Sequence, residues 1–347
     1  MRGSEEMGPE ALGTSSGPTE EEKGTPRGTP RPWWRRRWLR SAVQALLTVV
    51  VTVFILRAVG VSFDQVLELD PGRWSPDPFL LFLSSTLLLA AYLASAVFWG
   101  RIVDELGGGR VGAWRACRIY FAANLGRYVP GKVLQVVGLA YLAGRAGLKP
   151  SAAVAAGIVG QGLTLVGAAL VGLGVLWGHS PSVGPGTSPL VWTAMGVAAG
   201  LFALVSVPPI FHGLLRLGAW LLRAGGGEAT VPKPGGTFGL RWAALYTANW
   251  GLFAVAFWLL VRSVDVDGSL VVVGSAFAAS YLLGYLALFA PAGIGVREGF
   301  LVAFLEPVAG GGGAVAIAVL ARLWSTAVEV LPAALLTFVE LREGQGG

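Results

Sequence analysis

Four charged residues stand in or beside stretches that are otherwise apolar. Arg127 and Lys132 flank the Pro130–Gly131 break in "NLGRYVPGKVLQVVGLAYLAGR", while Arg322 and Glu329 sit inside "AVAIAVLARLWSTAVEVLPA". Arginine presents a rigid fork of donors suited to phosphate, and lysine a mobile point charge. A half-helix beginning after Gly131 adds backbone N–H groups aimed at the same anion. Together these residues suit a cradle for a phosphate-bearing lipid headgroup. Two other arrangements satisfy the same residue types. Both side chains could reach the water interface and anchor a hairpin, or both could meet carboxylates inside the protein.

Arg322 and Glu329 are seven residues apart, so a helix projects both from one face about 10 Å apart. That is too far for a direct bond along the helix. A charge near the bilayer centre costs about 2.5–3.5 kcal/mol even on a lenient scale, so this face must look inward and find partners on other segments. Arg297 and Glu298, beside a second break, are reasonable partners. Pairing Arg322 with Glu298 leaves Glu329 for a proton or a cationic headgroup. The competing arrangement is a structural ion pair that locks helices together. Arg127, Lys132 and Arg322 are the candidates to bind the lipid headgroup, and Asn124, Gln161, Glu298 and Glu329 form the expected interior polar path. Asn249 reads as hydrogen-bonding glue between helices, and Gln161 fits either role.

These residues need elements to hold them, and the composition says which. The chain has 347 residues, 54% hydrophobic and 13% charged, where a soluble domain carries about 25% charged residues. Its mean hydropathy is +0.64. Apolar windows of about 20 residues recur, each long enough to cross roughly 30 Å of hydrocarbon as helix. The expected fold is an all-α polytopic membrane protein with about seven spans, at 41–59, 79–99, 152–177, 190–210, 242–261, 269–290 and 314–339, plus re-entrant or broken half-helices. A β-barrel is excluded, since its strands are shorter and alternate. Residues 1–40 form an expected disordered tail ending in "RPWWRRRWLR", a basic and tryptophan-rich cluster suited to an anionic leaflet rather than to nucleic acid. Residues 41–341 form the membrane domain and 342–347 a short tail.

Cys117 is the single cysteine and reads as helix packing; with His179 and His212 remote from it, no local metal motif exists. No P-loop, dinucleotide fingerprint or nucleophile elbow is present. Neither an enzyme nor a resident cofactor is expected.

Loop charges set the orientation. The segment before the first span is strongly basic, residues 60–78 carry Asp64, Glu68, Asp70 and Asp77 against Arg73, and Arg101, Arg110, Arg115 and Arg118 follow the second span. This places the N-terminus in the cytoplasm of a multi-pass cell-membrane protein. The alternation continues only if 119–145 enters and leaves on one side or crosses twice. Each half beside Pro130 is too short to span, which suits a re-entrant hairpin whose freed backbone groups need internal partners. "YVPGK" is echoed by "FAPAGIGVRE", with breaks at Pro291, Gly293 and Gly295. Paired breaks point to a transporter site, although unrelated loop breaks would look the same. "GGGG" at 310–313 reads as a flexible join, and "GAALVGLG" at 167–174 as a close-packing surface. The aromatics read as scattered span or interface residues.

The stretches "NLGRYVPGKVLQVVGLAYLAGRAG", "PAGIGVREGFLVAFL" and "AVAIAVLARLWSTAVEVLPA" together resemble the lysylphosphatidylglycerol synthase transmembrane-region family, over roughly residues 41–341. The resemblance implies a flippase-like membrane region that moves a modified lipid to the outer leaflet. It carries onto Asn124, Arg127, Pro130, Gly131, Pro291, Gly293, Gly295, Glu298 and Arg322. Where family members often have an acidic residue, this chain has Gln161. The six residues after Leu341 leave no room here for the aminoacyl-transferring domain, so lipid synthesis is not expected. The implied partners are membrane lipids, either an anionic phospholipid or a lipid-linked sugar. The alternative is a non-transport partner of an envelope lipid or polysaccharide assembly enzyme.

Overall fold

A computed structural model of the chain describes residues 75–128, 133–175, 200, 235–286 and 295–343, with side chains left out at 127, 128, 133, 134 and 333–343. The expected tail at 1–40, the spans 41–59 and 190–210, and Pro130, Gly131, Lys132, Pro291 and Gly293 lie outside the described residues. Every described element is helical: α1 Pro78–Glu105, α2 Ala113–Asn124, a 3₁₀ turn Leu125–Tyr128, α3 Val133–Arg145, α4 Pro150–Gly172, α5 Phe238–Ser263, α6 Leu270–Leu286 and α7 Val296–Glu343. Among them α1, α4, α5 and the Val296–Pro332 part of α7 are long and apolar enough to cross a membrane. Large apolar side chains such as Phe79, Phe82 and Leu323 are mostly exposed, as a lipid-facing surface requires.

The pair α1–α5 is the spine. Pro78 opens α1, and the Asp77 carboxylate accepts from the N–H groups of Phe79 (2.8 Å) and Leu80 (2.9 Å), satisfying two of the orphan donors at a helix start. The helices run antiparallel and are tied at four depths. Asp77 N–H donates to Ser263 C=O (2.7 Å), Ser84 Oγ to Ala256 C=O (2.7 Å), Asn249 Nδ2 to Ala91 C=O (3.2 Å) and Ser95 Oγ (2.9 Å), and Arg241 pairs with Glu105. Asn249 is thus the glue its position in an apolar span suggested.

Glycines let α4 into this spine. A Cβ on Gly167 would stand 2.7 Å from Trp250 Cδ1, and one on Gly172 would stand 3.1 Å from Ala279 Cα, so α4 lies directly against α5 and α6. The small-residue surface therefore does pack closely, as its pattern predicted. Cys117 is buried beside Ala96 and Phe121, the packing role expected of it.

Helices α2 and α3 fold into a hairpin. Lys149 N–H donates to Gly108 C=O at 2.9 Å, so the chain enters α2 and leaves α3 at the same end of the bundle. Ile119 and Ala123 of α2 share a buried cluster with Leu139 and Ala143 of α3. That end carries Arg101, Arg110, Arg115, Arg118, Arg145, Lys149 and Arg241. Residues 119–145 thus return to the end at which they enter, as the loop charges required.

The second half differs from the expected succession of simple spans. Helix α6 has 17 residues, about 25 Å of helix, and the chain then turns back into α7. A Cβ on Gly284 would lie 2.7 Å from Arg297 Cβ, while at the other end one on Gly268 would lie 3.0 Å from Val308 Cγ1. Residues 270–309 thus form a second antiparallel hairpin, entering from the end opposite the first. The expected span 269–290 is one arm of it. The stretch 310–313 is a join between helices: Gly310 (φ 69°, ψ 164°) breaks α7 into two helices, and the 3.5 Å approach of Arg322 to Glu298 shows that the chain folds back there. Pro307 weakens the preceding turn by removing a helix donor, and glycine alone tolerates that backbone region.

Candidate functional site

The two hairpins reach toward each other from opposite ends, and a cavity of about 110 Å³ lies between their tips. It sits where the buried cluster around α1–α4 meets the one around α5–α7. The first hairpin contributes Tyr120 and Asn124, the second Gly284, Tyr285 and Arg297, and the last span Arg322, Ser325, Thr326 and Glu329.

Among the described side chains, an amide pair holds the first tip. Asn124, 3% exposed, accepts at Oδ1 from Gln135 Nε2 across the turn at 2.7 Å. Arg127 lies in the 3₁₀ turn that follows; its side chain, like Lys132, lies outside the description.

Charges organise the second tip. Gly295 (φ 85°) occupies the position before the first turn of α7, and Glu298 Oε2 accepts from its N–H at 2.7 Å. This is the reach-back half of a capping box, with an acidic group favourably placed at a helix N-terminus. The other carboxylate oxygen, Oε1, stands 3.5 Å from Arg322 Nη1. Arg322 and Glu298 therefore meet as their partnerless positions in sequence required. Glu298 lies behind the cavity wall, and Arg297, its neighbour, stands on it. The Arg297 guanidinium lies over Phe277 (4.7 Å to the ring centroid) and Tyr281 (5.7 Å), an arrangement that favours a cation in a partly dry site.

Glu329 is 4% exposed and lies on the cavity wall, separated along α7 from Arg322. Gln161 is on the wall as well, its Nε2 3.4 Å from the Tyr281 hydroxyl. Two buried wall atoms, Asn249 Oδ1 and Trp250 Nε1, have no hydrogen-bond partner among the described residues. An acceptor and a donor left open on a charged cavity suit a polar occupant, because a buried polar group without a partner costs about 1–3 kcal/mol.

Sequence reading missed the aromatic share of this wall. Tyr120, Tyr246, Trp250, Tyr281 and Tyr285 come from three helices and converge here. Tyr246–Trp250 and Tyr281–Tyr285 are each spaced four apart and so share a helix face, but nothing in the sequence joins the three helices; the hydroxyl or indole N–H on a large apolar body marks such residues as ones that seek a half-wet surface.

Two hairpins entering from opposite ends of a bundle that holds four helices long and apolar enough to cross a membrane define a multi-pass membrane protein. Over residues 43–333 the chain matches the family described as the lysylphosphatidylglycerol synthase TM region. The chain belongs to that family, whose name ties it to membrane lipid biosynthesis. No curated protein matches the chain.

Proposed function

We propose that this protein is a flippase-like carrier that relocates an anionic lipid headgroup, on a phospholipid or a lipid-linked sugar, across the cell membrane. The observation that carries the reading is the convergence of Arg297, Arg322 and buried Glu329 on one cavity between two hairpin tips of opposite entry. Arginine at such a tip offers phosphate a forked donor set. Trp250 Nε1 supplies a further donor, and Asn249 Oδ1 accepts from a headgroup hydroxyl or water. Small displacements of either hairpin would open the cavity toward its own end, which is alternation around a fixed site. The protein performs no covalent step, and its energy comes from an ion gradient or from the lipid's own gradient.

The basic end faces the cytoplasm on the positive-inside principle. A single crossing by the span expected from the sequence at 41–59 would put the N-terminus on the same side.

The test is reconstitution into liposomes holding headgroup-labelled phosphatidylglycerol, with leaflet exchange followed by quenching of outer-leaflet label. Wild-type protein should accelerate exchange, and Arg297→Ala and Arg322→Ala should abolish most of the gain. Rates equal to protein-free liposomes for phosphatidylglycerol and for a polyprenyl-linked sugar would overturn the reading. Stable co-purification with an envelope-assembly enzyme would then favour the partner role.

A further inference from the structure

A second cavity, about 310 Å³, opens beside the charged one, between α3 and α4. The two share a wall of Tyr120, Gln161, Tyr246 and Tyr285. Beyond that wall the chemistry changes. Among the described residues no charged side chain lines the second cavity, which is bounded on one side by Val136 and Leu139 and on the other by Val154 and Leu165. Its floor on α4 is made of glycines. Gly157 admits Leu139, since a Cβ there would stand 2.8 Å from Leu139 Cδ1, and a Cβ on Gly162 would meet no atom within 4 Å. Val136 and Ile158 at the margin are 40% and 52% exposed, so the groove has an apolar lip on the outer surface of the bundle.

We propose that this groove holds one acyl chain of the lipid whose headgroup enters the charged cavity. The inference rests on the carrier reading and adds the route by which the tail stays in hydrocarbon while the head is inside the protein. The division matches an amphiphile. Charged groups lie in the inner chamber, and tyrosine hydroxyls and one amide lie at the wall, where a glycerol–ester region would sit. Apolar side chains line the outer groove. A hydroxyl-bearing aromatic wall satisfies ester oxygens and still packs against methylenes. A groove continuous with bilayer also removes the cost of drawing the tail through a polar site. A free headgroup would need only the inner chamber; the larger uncharged volume is explained by a tail.

The experiment uses the full chain in liposomes containing phosphatidylglycerol with a diazirine at mid-chain, photolysed and mapped by peptide mass spectrometry. The expected adducts concentrate in residues 135–139 and 154–165. Gly162→Trp fills the groove and should lose these adducts, while Gly162→Ala keeps them. Val136→Trp, at the lip, provides a second plug if Gly162→Trp does not fold. Adducts no denser here than at lipid-facing Phe79, Phe82 and Leu323, or unchanged by both plugs, overturn the proposal. Headgroup exchange is measured on the same samples. Groove adducts without exchange would retain the acyl site and remove the carrier reading; exchange without groove adducts would do the reverse.

Discussion

The two hairpins solve the same geometric problem with different chemistry. The α2–α3 hairpin closes its tip with a neutral amide pair, Asn124–Gln135, and a snug glycine, Gly138, whose Cβ would stand 3.4 Å from Ala123 Cα. The hairpin formed by α6 and the first part of α7 closes with Glu298, Gly295 and Arg322, and lays Arg297 on two aromatic rings. Neutral hydrogen bonds hold their geometry at little cost in an apolar setting. A partly buried ion pair holds only while both charges stay together. Among the described side chains, the contact an arriving anion can contest lies at the second tip, where it would compete for Arg322.

The largest expected effect breaks that asymmetry directly. Arg322→Ala leaves the Glu298 carboxylate beside Gly295 without its cation, and leaflet exchange should fall by about tenfold or more, a transition-state loss above about 1.4 kcal/mol. Asn124→Ala should leave most exchange intact. Equal losses in the two variants would remove the distinction between the tips.

Next is the packing of the arms. Gly284→Ala forces a Cβ to within 2.7 Å of Arg297 Cβ and 3.1 Å of its Cα, and should destabilise by about 1–3 kcal/mol, the usual range for overpacking. Thermal unfolding in detergent measures it. Asn124→Ala comes third: loss of the Gln135 partner should cost about 0.5–1.5 kcal/mol by the same assay, since membrane hydrogen bonds are individually modest. The smallest effect belongs to Gly138→Ala. Its new methyl meets ordinary van der Waals contact, and the gain in helix propensity of up to about 1 kcal/mol should leave stability unchanged or slightly raised. A strong loss at Gly138 would mean that the first hairpin is packed as tightly as the second.

Much of this was legible in the sequence for one reason. An apolar solvent makes interruptions conspicuous. Pro130 and Gly131 announced a hairpin because no single helix tolerates them, and the loop charges demanded that it return to its own side. Arg322 demanded a partner, and Glu298 was the nearest available carboxylate at a break. The second hairpin was harder to see, because α6 is nearly uniform in apolar character and reads like a full span. Only its contact at Gly284 with Arg297 shows where it turns. The polyglycine stretch read as a join, and Gly310 is where one helix ends and the next begins. Gln161 could not be assigned from sequence, since an amide on an apolar helix fits glue and cavity wall equally; it lines both cavities.

Gly310 lies fourteen residues from Val296, at the base of the arm that carries Arg297 and Glu298. With a rise of 1.5 Å per residue that arm is a lever of about 21 Å, and a swing of about 10° at its pivot carries the tip about 4 Å. The Arg322–Glu298 pair joins the two sides of the pivot, so it acts as a brake: its 3.5 Å contact cannot survive such a swing, and whatever draws Arg322 away releases the arm.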